Sequence, residues 1–295
     1  MGLWVLRAWV GAVGGGVVRR EVIGDAVLYL GDAREIAPTL GQIDMIFTDP
    51  PYGHNNNNND LIHRREAALG QLPIGADTPQ GRAILNDGPE ANDLVRWLFS
   101  FAKTALWPGS CCCCCCGGGG GPDPQFARWS LWMDELLSFK QMIVWDKGPM
   151  GMGWHYRRSY ETVLVGQKPG AACRWYDETN MVENIIRPNT LDIRKILPSK
   201  DDHPTPKHWR MAAHFMALHT KPGDLVLDPF MGGGSTLEAG IKTGRRVIGI
   251  EIDPEHFERS ILRCEAALKE PRDLFIAPPA ATPARQGGLF EGDEK

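Results

Sequence analysis

The feature that most constrains the fold is an alternation of short apolar runs with helix-forming stretches, in two blocks separated by long polar segments. The C-terminal block begins "KPGDLVLDPFMGGGSTLEAGIKTG" at Lys221. "DLVLDPF", after a Pro-Gly turn, reads as a buried parallel strand. A glycine-rich loop follows, then a helix from about Ser235 that stops at Gly244, a residue suited to a helix C-terminus. "RRVIGIEID" is a second strand. Asp253 caps a further helix with Pro254 at its first position. Phe257, Ile261, Cys264 and Leu268 recur there at helical spacing, and Pro271 ends it.

The N-terminal block reads "AVLYLGDAREIAPTLGQIDMIFTDPPYG". "VLYLGD" and "DMIFTDPPY" are strands on either side of a short helix. After a polar excursion that includes "HNNNNND", expected as a mobile surface loop, Asn92 opens an amphipathic helix through Trp97, Phe101 and Leu106. Pro108-Gly109 closes it. "CCCCCCGGGGG" follows, then a helix opened by Asp123 and Pro124, then the strand runs "QMIVWD" and "ETVLVG". This rhythm predicts an α/β fold with a doubly wound, mostly parallel, Rossmann-like sheet.

The hexacysteine, Cys111 to Cys116, sits where the rhythm calls for a strand. Neighbouring side chains on a strand point to opposite faces, so six consecutive cysteines cannot close one tetrahedral metal site. Free cysteine behaves as a small, readily buried hydrophobe. The run is therefore expected to be a central strand buried on both faces, and no metal site is expected. The glycines after it would leave room for a ligand at the carboxyl end of that strand.

"DPFMGGGST", Asp228 to Thr236, places glycines where backbone must approach a ligand closely. Glu251 ends the next strand 19 residues after Gly232, where a carboxylate can accept hydrogen bonds from two ribose hydroxyls. The loop is "FMGGG" and not "GxGxxG", which lowers a dinucleotide reading. "TDPPYG", Thr48 to Gly53, ends a strand in a stiff double-proline turn. It resembles the Asp-Pro-Pro-Tyr motif of methyltransferases that modify an exocyclic amino group, and that resemblance implies that the Asp49 carboxylate and Pro50 carbonyl are two acceptors of hydrogen bonds from an aromatic amino group. That makes its nitrogen more tetrahedral and its lone pair available. Pro51 stiffens the turn, and Tyr52 offers a face on which an extruded base can stack.

These motifs resemble those of S-adenosylmethionine-dependent methyltransferases, and Asp-Pro-Pro-Tyr resembles those acting on exocyclic amino groups. In that fold the cofactor strands normally come first and the Asp-Pro-Pro-Tyr strand fourth. Here the C-terminal block would supply the first two strands, "VLYLGD" the third, "DMIFTDPPY" the fourth, the hexacysteine the fifth and the last two runs a final hairpin. The expectation is a circularly permuted seven-stranded methyltransferase sheet. With "HPTPK" (His203 to Lys207) leading into the helix before the glycine loop, the order resembles the beta class of DNA amino-methyltransferases over roughly Val22 to Leu268.

The resemblance implies S-adenosyl-L-methionine as cofactor, bound by Asp228, Phe230, Gly232, Gly234, Ser235, Thr236 and Glu251. It also implies Asp32 against the cofactor adenine, and Thr205 and Lys207 at the methionine end. The family often continues Lys-Pro, and this chain has Lys207-His208. In this class the target-recognition region usually lies where residues 168–203 lie here. Arg174, Arg187, Arg194 and Lys195 there, with Trp175 and Tyr176, suit phosphate and base contacts. Arg157 and Arg158 in the hairpin turn are further DNA-binding candidates. From Lys140 to Arg210 there are 12 Lys+Arg against 8 Asp+Glu, although the whole chain carries a net charge of −4.

The implied reaction is direct, in-line methyl transfer to adenine N6 in DNA after base flipping, as in restriction-modification enzymes. The motif begins with Asp, where enzymes acting on cytosine N4 more often have Ser. Cytosine N4 is the alternative; an RNA or protein methyltransferase or an inactive DNA-binding module stand behind it. Methylation at cytosine carbon 5 needs a cysteine nucleophile, typically after proline, and no Pro-Cys dipeptide occurs.

Residues 1–20 are expected to be a loosely attached extension, residues 21–167 and 204–270 the catalytic domain, and 271–295 a disordered tail rich in Pro, Ala and Gly. The apolar N-terminus has no basic region ahead of it, so a signal peptide is not expected. No apolar run is long enough to span a bilayer. Cysteines with no secretory signal fit a reduced bacterial or phage-host cytoplasm. Gln286, Leu289 and Phe290 resemble the Gln-x-x-Leu-Phe peptide that docks on the bacterial sliding clamp. A homodimer stays open.

Overall fold

A computed structural model describes residues 9–13, 16–53, 88, 90–116, 125–148, 159–179, 181–187 and 208–270. Arg157, Arg158, Arg194, Lys195, Thr205, Lys207, Gln286, Leu289, Phe290, the asparagine run and the glycines after Cys116 lie outside the described residues.

The described strands are β1 (Trp9–Val13), β2 (Gly16–Ile23), β3 (Ala26–Leu30), β4 (Ile43–Thr48), β5 (Leu106–Cys116), β6 (Ser138–Asp146), β7 (Tyr160–Gln167), β8 (Ile185–Ile186), β9 (Leu225–Asp228) and β10 (Arg246–Glu251). They form one sheet in the order β1-β2-β3-β10-β9-β4-β5-β7-β6-β8. The seven strand runs read from the sequence are β3, β4, β5, β6, β7, β9 and β10, which lie side by side in that list. β3, β10, β9, β4 and β5 run parallel, and β7 is antiparallel to both β5 and β6. The α-helices among the described residues are α1 (Ala33–Ile36), α2 (Ala91–Ala105), α3 (Gln125–Leu136), α4 (Trp209–His219), α5 (Ser235–Thr243) and α6 (Pro254–Lys269). None is long and apolar enough to cross a membrane.

The hexacysteine is the middle of the sheet. All six cysteines are at most 1% exposed. Cys111, Cys113 and Cys115 join Met45, Phe47, Phe215 and Phe257 in the core under α4, α5 and α6. Cys112, Cys114 and Cys116 join Ile46, Leu98, Phe99 and Trp129 in the core under α2 and α3. The strand period of two thus divides the run between two apolar layers. Burial pushes the Cys112 thiol up to about 12, so it stays protonated and apolar at neutral pH.

α5 starts on Gly234 and stops at Gly244 as its sequence predicts, and Asp253 caps α6 by accepting from the Glu255 and His256 amides at 2.7 and 3.3 Å. Two expectations changed. Residues 9–13 and 16–20, expected as part of a loose extension, lie in strands that widen the sheet, β2 antiparallel to β3 and β1 antiparallel to β2. Pro108-Gly109 does not close α2. The helix ends at Ala105, and Trp107 to Ser110 bulge within β5, because Ile43 pairs with Leu106 while Met45 pairs with Cys111. Gly109, at φ 85°, donates to Lys168 O at 2.9 Å, a partner 59 residues on that no local turn signal reveals.

Candidate active site

Parallel strands that end at one edge bring the loops after them together. The carboxyl ends of β3, β10, β9 and β4 and the loops after them carry Asp32, Glu251, Asp228 to Thr236 and Asp49 to Tyr52, so the two motif blocks meet at this carboxyl edge. The bond that joins them is Thr48 Oγ1 donating to Asp228 Oδ1 at 2.6 Å, across 180 residues. The Phe230 amide donates to the same oxygen at 3.1 Å. Asp228 is 2% exposed. Burial lifts its carboxyl to about 6, against the hydrogen bonds from Thr236, Thr48 and Phe230, and the nearby Asp49 charge adds to the rise.

The glycine loop is pinned from within. The Gly232 amide donates to Glu251 Oε2 at 2.9 Å, and Ser260 Oγ donates to Gly232 O at 2.7 Å. Gly232 (φ 49°) and Gly234 (φ 79°) take left-handed conformations that strain other residues. A Cβ at Gly234 would lie 3.0 Å from Ser260, whereas one at Gly232 or Gly233 would meet nothing within 4 Å. The loop is tight towards the protein and open on its outer side. The Asp253 amide donates to the other Glu251 oxygen at 2.8 Å. Burial raises the Glu251 carboxyl to about 7, opposed by the amides of Asp253 and Gly232.

Asp32 caps α1 by accepting from the Arg34 amide at 2.8 Å and pairs with the Arg34 guanidinium at 2.6 Å. The hydrogen bond from Arg34 holds its carboxyl below the usual range. Asp49 accepts from the Tyr52 hydroxyl, which fixes the carboxylate across the Pro50-Pro51 turn. The half-buried Tyr52 ring lies 6.3 Å from Trp129, centroid to centroid. Trp129 is fully buried and donates to Asn92 Oδ1 at 3.0 Å, so α2 and α3 together set the Tyr52 ring. Trp97 stacks on Phe101 at 5.6 Å and meets Phe230 edge-on at 6.4 Å. Sequence reasoning missed Thr48, Trp129, Asn92, Trp97 and Arg34. Trp129 had a signal, its helical spacing with Gln125 and Met133; Thr48 had none, because its partner is remote.

The candidate DNA-binding residues separate. Arg174 pairs at 2.6 Å with Asp44 near the start of β4, and Asp44 also accepts from the Leu225 amide at the start of β9. Arg174 is therefore engaged at the amino edge, on the far side of the sheet from Asp49. Trp175 packs edge-on against His219 at 5.3 Å, and the Tyr176 amide donates to Leu218 O, so both lie at the same far edge. Arg187 follows β8, which runs parallel to β6. It lies at the carboxyl edge, exposed and paired with Glu183. At the same edge, where β6 ends and β7 begins, the Lys147 amide donates to Ser159 O at 2.7 Å.

A carboxylate on a stiff turn beside an open glycine cradle suits group transfer between two ligands held on one edge. The DNA methylase family model (N6_N4_Mtase) matches residues 43–262. The DNA adenine methyltransferase YhdJ of Escherichia coli K12 is 28% identical over 252 residues, covering 76% of this chain and 77% of YhdJ. Among solved structures, M1.HpyAVI in complex with SAM superposes with a TM-score of 0.55 at 23% identity, covering 80% of this chain and 98% of that one. The cytosine-N4-specific PvuII DNA methyltransferase gives a TM-score of 0.55 at 16% identity, covering 81% and 86%.

Proposed function

The chain belongs to the DNA methylase family, and we propose that it transfers a methyl group from S-adenosyl-L-methionine to the exocyclic N6 of adenine in DNA. The observation that carries this is the Asp49 carboxylate, held by the Tyr52 hydroxyl and tied through the neighbouring Thr48–Asp228 bond to an open glycine loop. Adenine is favoured by the leading Asp of the motif and by the similarity to an enzyme named for adenine. Cytosine N4 is the alternative.

The residues present fit the cofactor. The open faces of Gly232 and Gly233 form a cradle that any side chain would fill. The two Glu251 oxygens accept from the backbone amides of Gly232, Asp253 and Ile252 and, with about four lone-pair sites between them, keep acceptor capacity for a ribose hydroxyl. We assign Asp228, Phe230, Gly232, Gly234, Ser235, Thr236 and Glu251 to cofactor binding, with Asp32 at the adenine and Thr205 and Lys207 at the methionine end. When bound, the cofactor supplies a methyl carbon made electrophilic by a sulfonium.

The base nitrogen has its lone pair delocalised into the ring. The Asp49 carboxylate and Pro50 carbonyl accept hydrogen bonds from its two N–H groups, which localises the lone pair on the nitrogen. Tyr52 stacks on the flipped base, and Trp129 keeps that ring in place. On methylation the nitrogen would carry one surplus proton, which would leave on the side where Asp49 accepts it. No covalent intermediate with the protein is needed. Arg187, Arg194, Lys195, Arg157 and Arg158 are assigned to the DNA phosphates. Arg174 is withdrawn from that role because its pair with Asp44 holds it at the amino edge, away from Asp49. Residues 168–177 are likewise better read as part of the body, leaving 178–203 for target recognition. The order of the strands along the chain fits a circular permutation.

The test is methyl transfer to DNA followed by mass spectrometry of the nucleosides and methylation-sensitive sequencing. N6-methyldeoxyadenosine in one sequence context is expected. N4-methyldeoxycytidine would move the assignment to the alternative, and no methylated nucleoside despite cofactor binding would make the chain a DNA-binding module. The Gln286, Leu289 and Phe290 segment is proposed to dock on a sliding clamp. A tail peptide that fails to bind a bacterial clamp at tens of micromolar, or binds equally after Leu289→Ala and Phe290→Ala, would end that reading.

A further inference from the structure

Six adjacent cysteines cannot share one metal ion, but the first of them meets two ligand-type residues from elsewhere in the chain. Cys111 lies in β5, Cys173 follows β7, and His219 is the last residue of α4. One ligand atom from each lies within 4.8 Å of the others. The two sulfurs are 3.6 Å apart. Two thiolates each about 2.3 Å from a tetrahedral zinc ion are separated by roughly 3.8 Å. A disulfide would need them at about 2.05 Å. The observed spacing therefore suits two ligands of one cation far better than a covalent bond.

His219 is 4% exposed, and its Nδ1 lies 3.1 Å from Arg174 O. In the tautomer whose Nδ1–H donates to that carbonyl, Nε2 carries the lone pair that can ligate a metal, and such a bond fixes ring and tautomer at many zinc sites. Trp175 packs against the same ring. The segment that carries Cys173 is laced down on both sides. The Arg174 amide donates to Gly109 O at 3.0 Å, the Arg174 side chain pairs with Asp44, and the Tyr176 amide donates to Leu218 O at 2.9 Å. The three ligands thus stand on fixed backbone, and the exposed Cys173 leaves a side open to solvent for a fourth, water ligand.

We propose that Cys111, Cys173 and His219 bind one soft divalent cation, with zinc the natural choice for a set of two sulfurs and one imidazole. Two thiolates and a neutral imidazole leave the complex with no net charge. The site lies at the amino edge of the sheet, whereas Asp49 and the glycine loop lie at the carboxyl edge. Its role is accordingly a clasp that joins β5, the segment after β7 and the end of α4, and it takes no part in methyl transfer.

The experiment uses the full chain, purified without chelators and analysed for metal, then stripped and titrated with zinc against a chromogenic chelator. About one zinc per chain is expected. Loss of an outer-shell partner typically weakens metal binding by roughly 10- to 100-fold, so loss of a direct ligand in Cys173→Ser or His219→Gln should weaken it by more. Cys264→Ser, which removes a buried thiol elsewhere, should bind as the parent does. Chelation should lower the melting temperature of the parent and leave that of Cys173→Ser unchanged. Cys173 is exposed, so its serine variant is expected to fold, and its circular dichroism and methyl transfer should match those of the stripped parent. Failure of the folded parent to bind zinc at micromolar concentration would overturn the proposal. So would equal binding by Cys173→Ser, or a chain mass lower by two hydrogens that maps to a Cys111–Cys173 disulfide.

Discussion

Replacing Gly233 by alanine should separate the stability of the glycine loop from its use. The added methyl group meets no atom of the protein within 4 Å, and the Gly233 backbone lies outside the left-handed region. The free protein should accept the change, with stability unchanged or raised by about 0.4–1 kcal/mol, because the unfolded chain loses freedom. The loop has no room to retreat once a ligand arrives. Gly232 is held by Glu251 and Ser260, and the Gly234 amide donates to Met231 O at 2.8 Å. If the cofactor rests on this loop, the methyl group intrudes on it. Overpacking of that kind costs about 1–3 kcal/mol, which corresponds to roughly 5- to 150-fold weaker binding. Calorimetric titration with S-adenosyl-L-methionine gives the affinity, and denaturant unfolding without ligand gives the stability. Gly41→Ala, also open to 4 Å but far from the loop, is the control that should change neither by much. Affinity within twofold of the parent, or a loss of affinity matched by a loss of stability, would refute the cradle.

Asp49→Ala should lower turnover on cognate DNA by about 100-fold or more while cofactor affinity changes little; near-normal single-turnover rates would remove Asp49 from the chemistry. The Glu251 carboxyl is raised from 4.5 to about 7, so its folded protonated form contributes stability that is full below pH 4.5 and lost as pH rises through about 7. That difference amounts to about 3 kcal/mol; Glu251→Gln should flatten the fall of unfolding free energy between pH 5 and 8, and parallel pH profiles for the two proteins would contradict it. Cofactor affinity should run the other way, rising with pH through about 7 in the parent as the carboxylate forms, and a pH-independent affinity would disprove that role. In metal-free protein a thiol reagent should label Cys173 rapidly and the seven buried cysteines only on unfolding; prompt labelling of the hexacysteine under native conditions would show that the strand is not buried.

What could be read from the sequence is what a local repeat determines. The two-residue period of a strand assigns Cys111, Cys113 and Cys115 to one face and Cys112, Cys114 and Cys116 to the other without knowledge of any partner, and the structure divides them that way. Caps such as Asp253, and the strand ends that carry Asp49 and Gly232, are local in the same sense. What could not be read depends on a partner distant in the chain. A Pro-Gly pair marks a turn when nothing else is known, yet Gly109 finds Lys168 and lies in a bulged strand. An arginine beside Trp and Tyr looks suited to DNA, yet Arg174 meets Asp44, 130 residues earlier. The same reasoning applies to the active site. Asp49 and the glycine loop are each legible alone, but the Thr48–Asp228 bond that sets them at one edge spans 180 residues. The proposed catalytic geometry therefore forms only once the two blocks have paired through β4 and β9, so the site depends on the closing of the whole sheet rather than on either motif.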